Sequence, residues 1–135
     1  MIQVNYLAII VGTVLAVTFS ALYYFILNKR VVAYRAAQFN KKEPVQTTIS
    51  VNRFLIEVVR TFVMGLVIAY AVSLLNLLEL NQAILMGLWL WIGFPAVLLT
   101  GLVIHERMSA ALVAIHAGDW LVKILIFSVL LTLWR

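Results

Sequence analysis

The chain has 135 residues, 65% hydrophobic and 11% charged, with a formal net charge of +5, and its mean hydropathy is +1.09. This balance excludes an ordinary water-soluble domain, which is about half apolar and about a quarter charged. With no cysteine, disulfides, thiolate zinc sites and cysteine nucleophiles are excluded as well.

A membrane crossing takes about 20 apolar residues, so the length suits one transmembrane domain of four spans with no separate soluble domain. The first span is predicted over residues 6–27. Residues 1–28 contain no Lys or Arg, so the basic start of a secretory signal peptide is missing, and the stretch is expected to stay as a mature helix. A basic loop follows at 28–52. Lys29, Arg30, Arg35, Lys41, Lys42 and the adjoining Arg53 supply six of the ten basic residues, against the single acid Glu43. Within the loop Val32, Ala36 and Phe39 repeat at i, i+4 and i+7. That spacing predicts a short basic helix lying on the lipid surface, stopped by Pro44.

Thr47, Thr48 and Ser50 offer caps for a second span at 53–78. Only Glu79, Leu80 and Asn81 separate it from a third span at 82–104, which forces a tight antiparallel hairpin. The third span holds Gly87, Gly93, Pro95 and Gly101. Pro95 removes a backbone donor near its middle, predicting a kink over Gly93 and Pro95. That kink reads either as a source of free carbonyls or as a packing bend whose backbone is satisfied by Thr100 or a neighbouring helix. After the turn His105, Glu106, Arg107 and Met108, the fourth span is predicted over 109–134. The fold class is therefore an all-α, four-helix transmembrane bundle. Basic residues collect on the cytoplasmic side of membranes. This places the basic loop and Arg107 inside and both termini outside, and it accounts for the net charge without nucleic acid.

The polar residues inside the spans carry the functional expectations. His116, Asp119 and Lys123 fall within about 60° of one another on one face of the fourth helix. Asp119 and Lys123 lie about 3 Å along the axis from its middle, beyond the reach of snorkelling to water. An ionised group at that depth costs roughly 2.5–3.5 kcal/mol, so this face must look at protein or water. The acid precedes the base at i, i+4, the better order for a helical ion pair. Two readings stand. In one, the stripe is an intramembrane proton or ion site, with Asp119 titrating, Lys123 as counter-ion and His116 as proton partner. In the other, it is a polar contact that fixes helix packing. In the second span Arg53, Glu57 and Arg60 share a face. The Glu57 and Arg60 pair reads either as a structural interfacial ion pair or as a cytoplasmic gate or partner for the fourth-span stripe. His116, Asp119 and His105 do not make a metal motif, and no metal or cofactor is expected.

Ala110, Ala114 and Gly118 repeat every four residues away from the stripe and predict a helix-packing seam. With polar residues on one side and a seam on the other, the fourth span is expected to be central. The predicted partners are the lipid bilayer and either a second copy of the chain or another membrane protein. Trp89, Trp91 and Trp120 sit deep, where each indole N–H must find a carbonyl. Tyr6 and Trp134 suit the outer surface.

Residues 87–134 carry a resemblance. The WIGF run followed by Pro95, the Glu106 and Arg107 pair in the short turn, the His116 to Trp120 region and the closing Trp134 resemble a bacterial integral membrane family catalogued as domain of unknown function 1761. In the first half that family has an aromatic pair, then a proline and a Lys and Trp segment. Here Tyr23, Tyr24 and Phe25 lead to Asn28, Lys29 and Arg30 without a proline. The resemblance implies four spans and a bacterial plasma membrane, and it brings no established activity.

Two functions are expected on these grounds. The first is a proton- or ion-linked permeation module using the fourth-span stripe. The second is a non-catalytic subunit or scaffold of a larger membrane complex. An enzyme is not expected, because no Ser, His and acid set lies at one depth and there is no phosphate loop or metal motif.

Overall fold

The computed structural model describes residues 4–39 and 50–134. Its elements are α1 (Tyr6–Phe39), α2 (Val51–Leu74), α3 (Leu80–Trp91), a π-helical turn (Ile92–Ala96), α4 (Val97–His105) and α5 (Ala110–Leu133). The segment α3, π turn and α4 is one continuous arm, so the described residues form four helices each long and apolar enough to cross a membrane. Large apolar side chains such as Phe25, Ile26 and Leu98 point outward, at 80%, 76% and 70% exposure. In a lipid solvent such outward side chains carry no penalty, while the helical backbone keeps its polar groups paired internally.

The first helix departs from expectation. Instead of ending near residue 27, with a separate surface helix in the loop, α1 runs unbroken to Phe39. Lys29 and Arg30 end the apolar stretch, but nothing between them and Phe39 breaks a helix, since Ala33, Ala36, Ala37 and Arg35 all favour one. The expected stop at Pro44 and the caps Thr47 and Thr48 lie outside the described residues. Ser50 does cap α2, its Oγ accepting from the Arg53 N–H at 3.3 Å.

α5 is the hub, packed against α1, α2 and the arm. Two small-residue faces allow this. On α1, Ala8, Gly12, Ala16 and Ser20 repeat every four residues and are all buried. On α2, Thr61, Gly65, Ala69 and Val72 turn inward. Between them lies the fully buried ring of Phe127 from α5. A Cβ on Gly12 would stand 2.7 Å from that ring, and one on Gly65 would stand closer still. Both glycines are therefore required by close approach. On the arm, Gly87 meets Leu125 and Ser128 of α5 in the same way.

Two turns use left-handed residues. Asn76 (φ 49°) and Arg107 (φ 54°) follow α2 and α4. The Leu77 N–H bonds the Val72 carbonyl at 3.2 Å, the pairing of a Schellman cap, and the Met108 N–H bonds the Leu102 carbonyl at 3.1 Å, a closure one residue wider. Asn tolerates this conformation, whereas Arg pays for its Cβ. Arg107→Gly is expected to stabilise the fold by about 0.5–1 kcal/mol, read as a rise in the midpoint of thermal unfolding in detergent; a fall would contradict it. At the two ends of α5, the Asn5 side chain donates to the Trp134 carbonyl at 3.5 Å, and the Ser109 N–H donates to Gln38 Oε1 at 3.2 Å. Residues 5 and 134 thus share one end of the bundle, and α1 and α5 are antiparallel.

Where the kink is predicted, the helix widens into a π-helical turn containing both Gly93 and Pro95. Proline has no N–H and its ring crowds the carbonyl four residues back, and a wider turn relieves both problems. Thr100 Oγ1 donates to the Ala96 carbonyl at 2.6 Å, so the threonine serves the backbone beside the bend.

Candidate functional site

The stripe on α5 faces inward. Asp119 and Lys123 are each only 4% exposed, and Lys123 Nζ lies 3.1 Å from Asp119 Oδ2. The Ser20 hydroxyl of α1 donates to the other carboxylate oxygen, Oδ1. Ser20 can reach it because Ala16 and Gly12 below it let α1 close on α5.

Lys123 does not stop at Asp119. Its Nζ also donates to Glu57 Oε1 on α2. Side chains on a helix lean toward its N-terminus, and α2 and α5 both start from the end of the bundle that carries the basic residues. The lysine therefore leans back toward the level of Glu57. Glu57 in turn pairs with Arg60, Nη1 to Oε2 at 3.3 Å, and Thr61 Oγ1 contributes a long contact of 3.5 Å. The result is an alternating chain from Arg60 through Glu57 and Lys123 to Asp119, closed by Ser20. It begins at a surface where Arg60 and Glu57 side chains are 57% and 34% exposed and ends in the interior. Glu57 therefore keeps its pair with Arg60 and also meets the α5 stripe through Lys123.

His116 takes a different neighbour. Its Nδ1 lies 2.6 Å from the Tyr24 hydroxyl of α1, and the two rings are 5.6 Å apart. Tyr23, beside it, donates to the Ile115 carbonyl at 3.0 Å and packs against Gly118, where a Cβ would meet the Tyr23 hydroxyl at 2.6 Å. Gly118 therefore makes a close contact, but with a tyrosine. Ala110 and Ala114 are exposed, so among the described residues no helix covers that part of the expected seam. The seam that is used, Ala8 to Ser20 on α1, has the same spacing and was the missed signal; Ser20 and Tyr24 were missed with it.

The tryptophans divide by environment. Trp91 Nε1 donates to the Ala117 carbonyl at 2.8 Å, pinning the arm to α5, while Trp89 is 66% exposed. Trp120 carries the Arg60 guanidinium 5.7 Å from its ring centre, a cation–π contact. Among the described residues there is no group of three or more His, Asp or Glu that could hold a metal ion. His105 is exposed at the end of α4.

Among the described residues, four helices long and apolar enough to cross a membrane pack around an ionic chain, the architecture of a multi-pass membrane protein. The chain belongs to the family described as protein of unknown function (DUF1761), whose model matches residues 7–132. The match takes in the N-terminal half as well as the C-terminal half that carries the motif resemblance. No curated protein and no solved structure matches the chain.

Proposed function

We propose that this protein is a non-enzymatic, proton- or ion-linked permeation module in which Glu57, Lys123 and Asp119 form a buried relay. Support comes from one observation above all: an ammonium and a carboxylate near the middle of α5 are joined through Glu57 to a partly exposed face of α2. Ionisable groups at this depth are costly and pair within the bundle. A relay also needs each titratable group to stand within hydrogen-bonding distance of the next, as these three do. His116 and Tyr24, nearer the basic end, offer a second place for proton exchange. We place that basic end in the cytoplasm by its Lys and Arg content and residues 5 and 134 outside, in a bacterial plasma membrane.

The test is a flux assay on purified protein in liposomes under an imposed proton or monovalent-cation gradient. Flux should fall at least tenfold in Asp119→Asn, Glu57→Gln and Lys123→Met. Wild-type flux that survives in all three removes the relay. Absence of flux in the wild type moves the weight to a second reading, a non-catalytic subunit of a larger assembly. That reading is favoured by the exposed Ala110 and Ala114, where a helix of another membrane protein or of a second copy can approach closely. Because the chain has no cysteine, Ala114→Cys provides a single reactive site. Under the subunit reading it should crosslink to a neighbouring chain in native membranes. A crosslinked fraction no greater than that of a lipid-facing control, Ile26→Cys, would speak against it.

A further inference from the structure

α2 packs on α1 and α5, and the arm packs on α5, which leaves a cleft between α2 and the arm. The cleft holds about 560 Å³, inside the range of about 300–1,000 Å³ typical of small-molecule sites. Met64 and Val67 form one wall, Phe94 and Leu98 the other, and Trp120 and Ile124 the floor. The π-helical turn shapes the second wall, since Phe94 and Pro95 both lie in it.

The lining contains one charged group, Arg60. Its guanidinium is held over the Trp120 ring at 5.7 Å and gives one nitrogen to Glu57, leaving further donors of its five for another acceptor. Around it the charges of Glu57, Lys123, Asp119 and Arg60 cancel. Arg53, seven residues earlier on the same face of α2 and exposed, leaves this face positive. An apolar trough with a planar cation at one end is complementary to an apolar chain ending in an anion. Arg60 lies nine residues into α2, about 13 Å along its axis, and its side chain leans back toward the basic end. The anion is therefore met near the headgroup level while the chain runs toward the membrane centre.

We propose that this cleft is a binding site for an anionic phospholipid, with an acyl chain between α2 and the arm and the phosphate on Arg60. It does not depend on the relay, and the two fail separately.

The test uses vesicles of phosphatidylcholine containing either brominated phosphatidylglycerol or brominated phosphatidylcholine, with the bromines on the acyl chain as contact quenchers of tryptophan. A variant retaining only Trp120 (Trp89→Phe, Trp91→Phe, Trp134→Phe) is compared with one retaining only the lipid-facing Trp89. Trp120 should reach half-maximal quenching at a mole fraction of the anionic lipid at least threefold lower than of the zwitterionic lipid, and Trp89 should show no preference. Arg60→Gln should erase the preference of Trp120. Val67→Phe, which fills the trough and leaves every charge in place, should weaken it as well. Equal quenching by the two lipids at Trp120, or a preference that survives both substitutions, overturns the proposal. So does a Trp120 that neither lipid quenches, the result expected if another helix covers the cleft.

Discussion

Lys123→Met is expected to destabilise the bundle by about 3–5 kcal/mol, the range for removing one partner of a buried ion pair, and by more than Asp119→Asn does. The asymmetry follows from the contacts. Lys123 is the single cation between two carboxylates, Asp119 and Glu57. Without it, Asp119 keeps, among the described residues, the Ser20 hydroxyl alone, at a depth where a lone carboxylate must either take up a proton or bear a heavy cost for its charge. Removing the Asp119 charge instead leaves Lys123 paired with Glu57, and Glu57 keeps Arg60. The double variant Asp119→Asn/Lys123→Met should recover much of the loss, because no unpaired charge then remains in the interior. Unfolding titrations with a denaturing detergent in mixed micelles give all four stabilities. Single-variant losses that add to within about 0.5 kcal/mol would mean the groups do not act together.

Gly65→Ala is expected to cost about 1–3 kcal/mol through overpacking, a large effect for one methyl group. The Phe127 ring is fully buried and its Cδ1–Cε1 edge lies close to both Gly65 and Gly12, so moving it off one glycine is resisted by the packing around it. Adding Phe127→Leu should return at least half of the loss, since the smaller side chain vacates the ring position next to α2. The same detergent titration decides the matter. An unaffected Gly65→Ala protein would show that α2 does not approach α5 this closely.

The four membrane helices were legible because lipid demands about 20 consecutive apolar residues per crossing, and this chain supplies four such stretches separated by one basic loop and two short polar turns. The end of α1 was not. Lys29 and Arg30 mark where lipid-compatible chemistry stops, whereas a helix stops only where its backbone is broken or capped. The ion pair of Asp119 and Lys123 was legible for the converse reason: an i, i+4 spacing on one helix fixes proximity before any tertiary structure is known. Its extension to Glu57 stayed one of two options, since spacing within α2 cannot tell which helix lies beside it. Small-residue repeats show the same limit. The rule that picked out Ala110, Ala114 and Gly118 describes Ala8, Gly12, Ala16 and Ser20 equally well, and only packing tells which seam is closed within the chain.

α1 has 34 residues, about 51 Å at the helical rise, against a hydrocarbon layer of about 30 Å. After Gly12 it contains neither glycine nor proline, and it stays α-helical from Ser20 to Phe39. The part that exceeds the layer is mechanically one piece with the part that grips Asp119 and His116. Tilting the basic end as a lever therefore displaces Ser20 and Tyr24 inside the membrane, with no joint between them to absorb the motion. A load on the surface of this protein is felt directly at the buried Asp119.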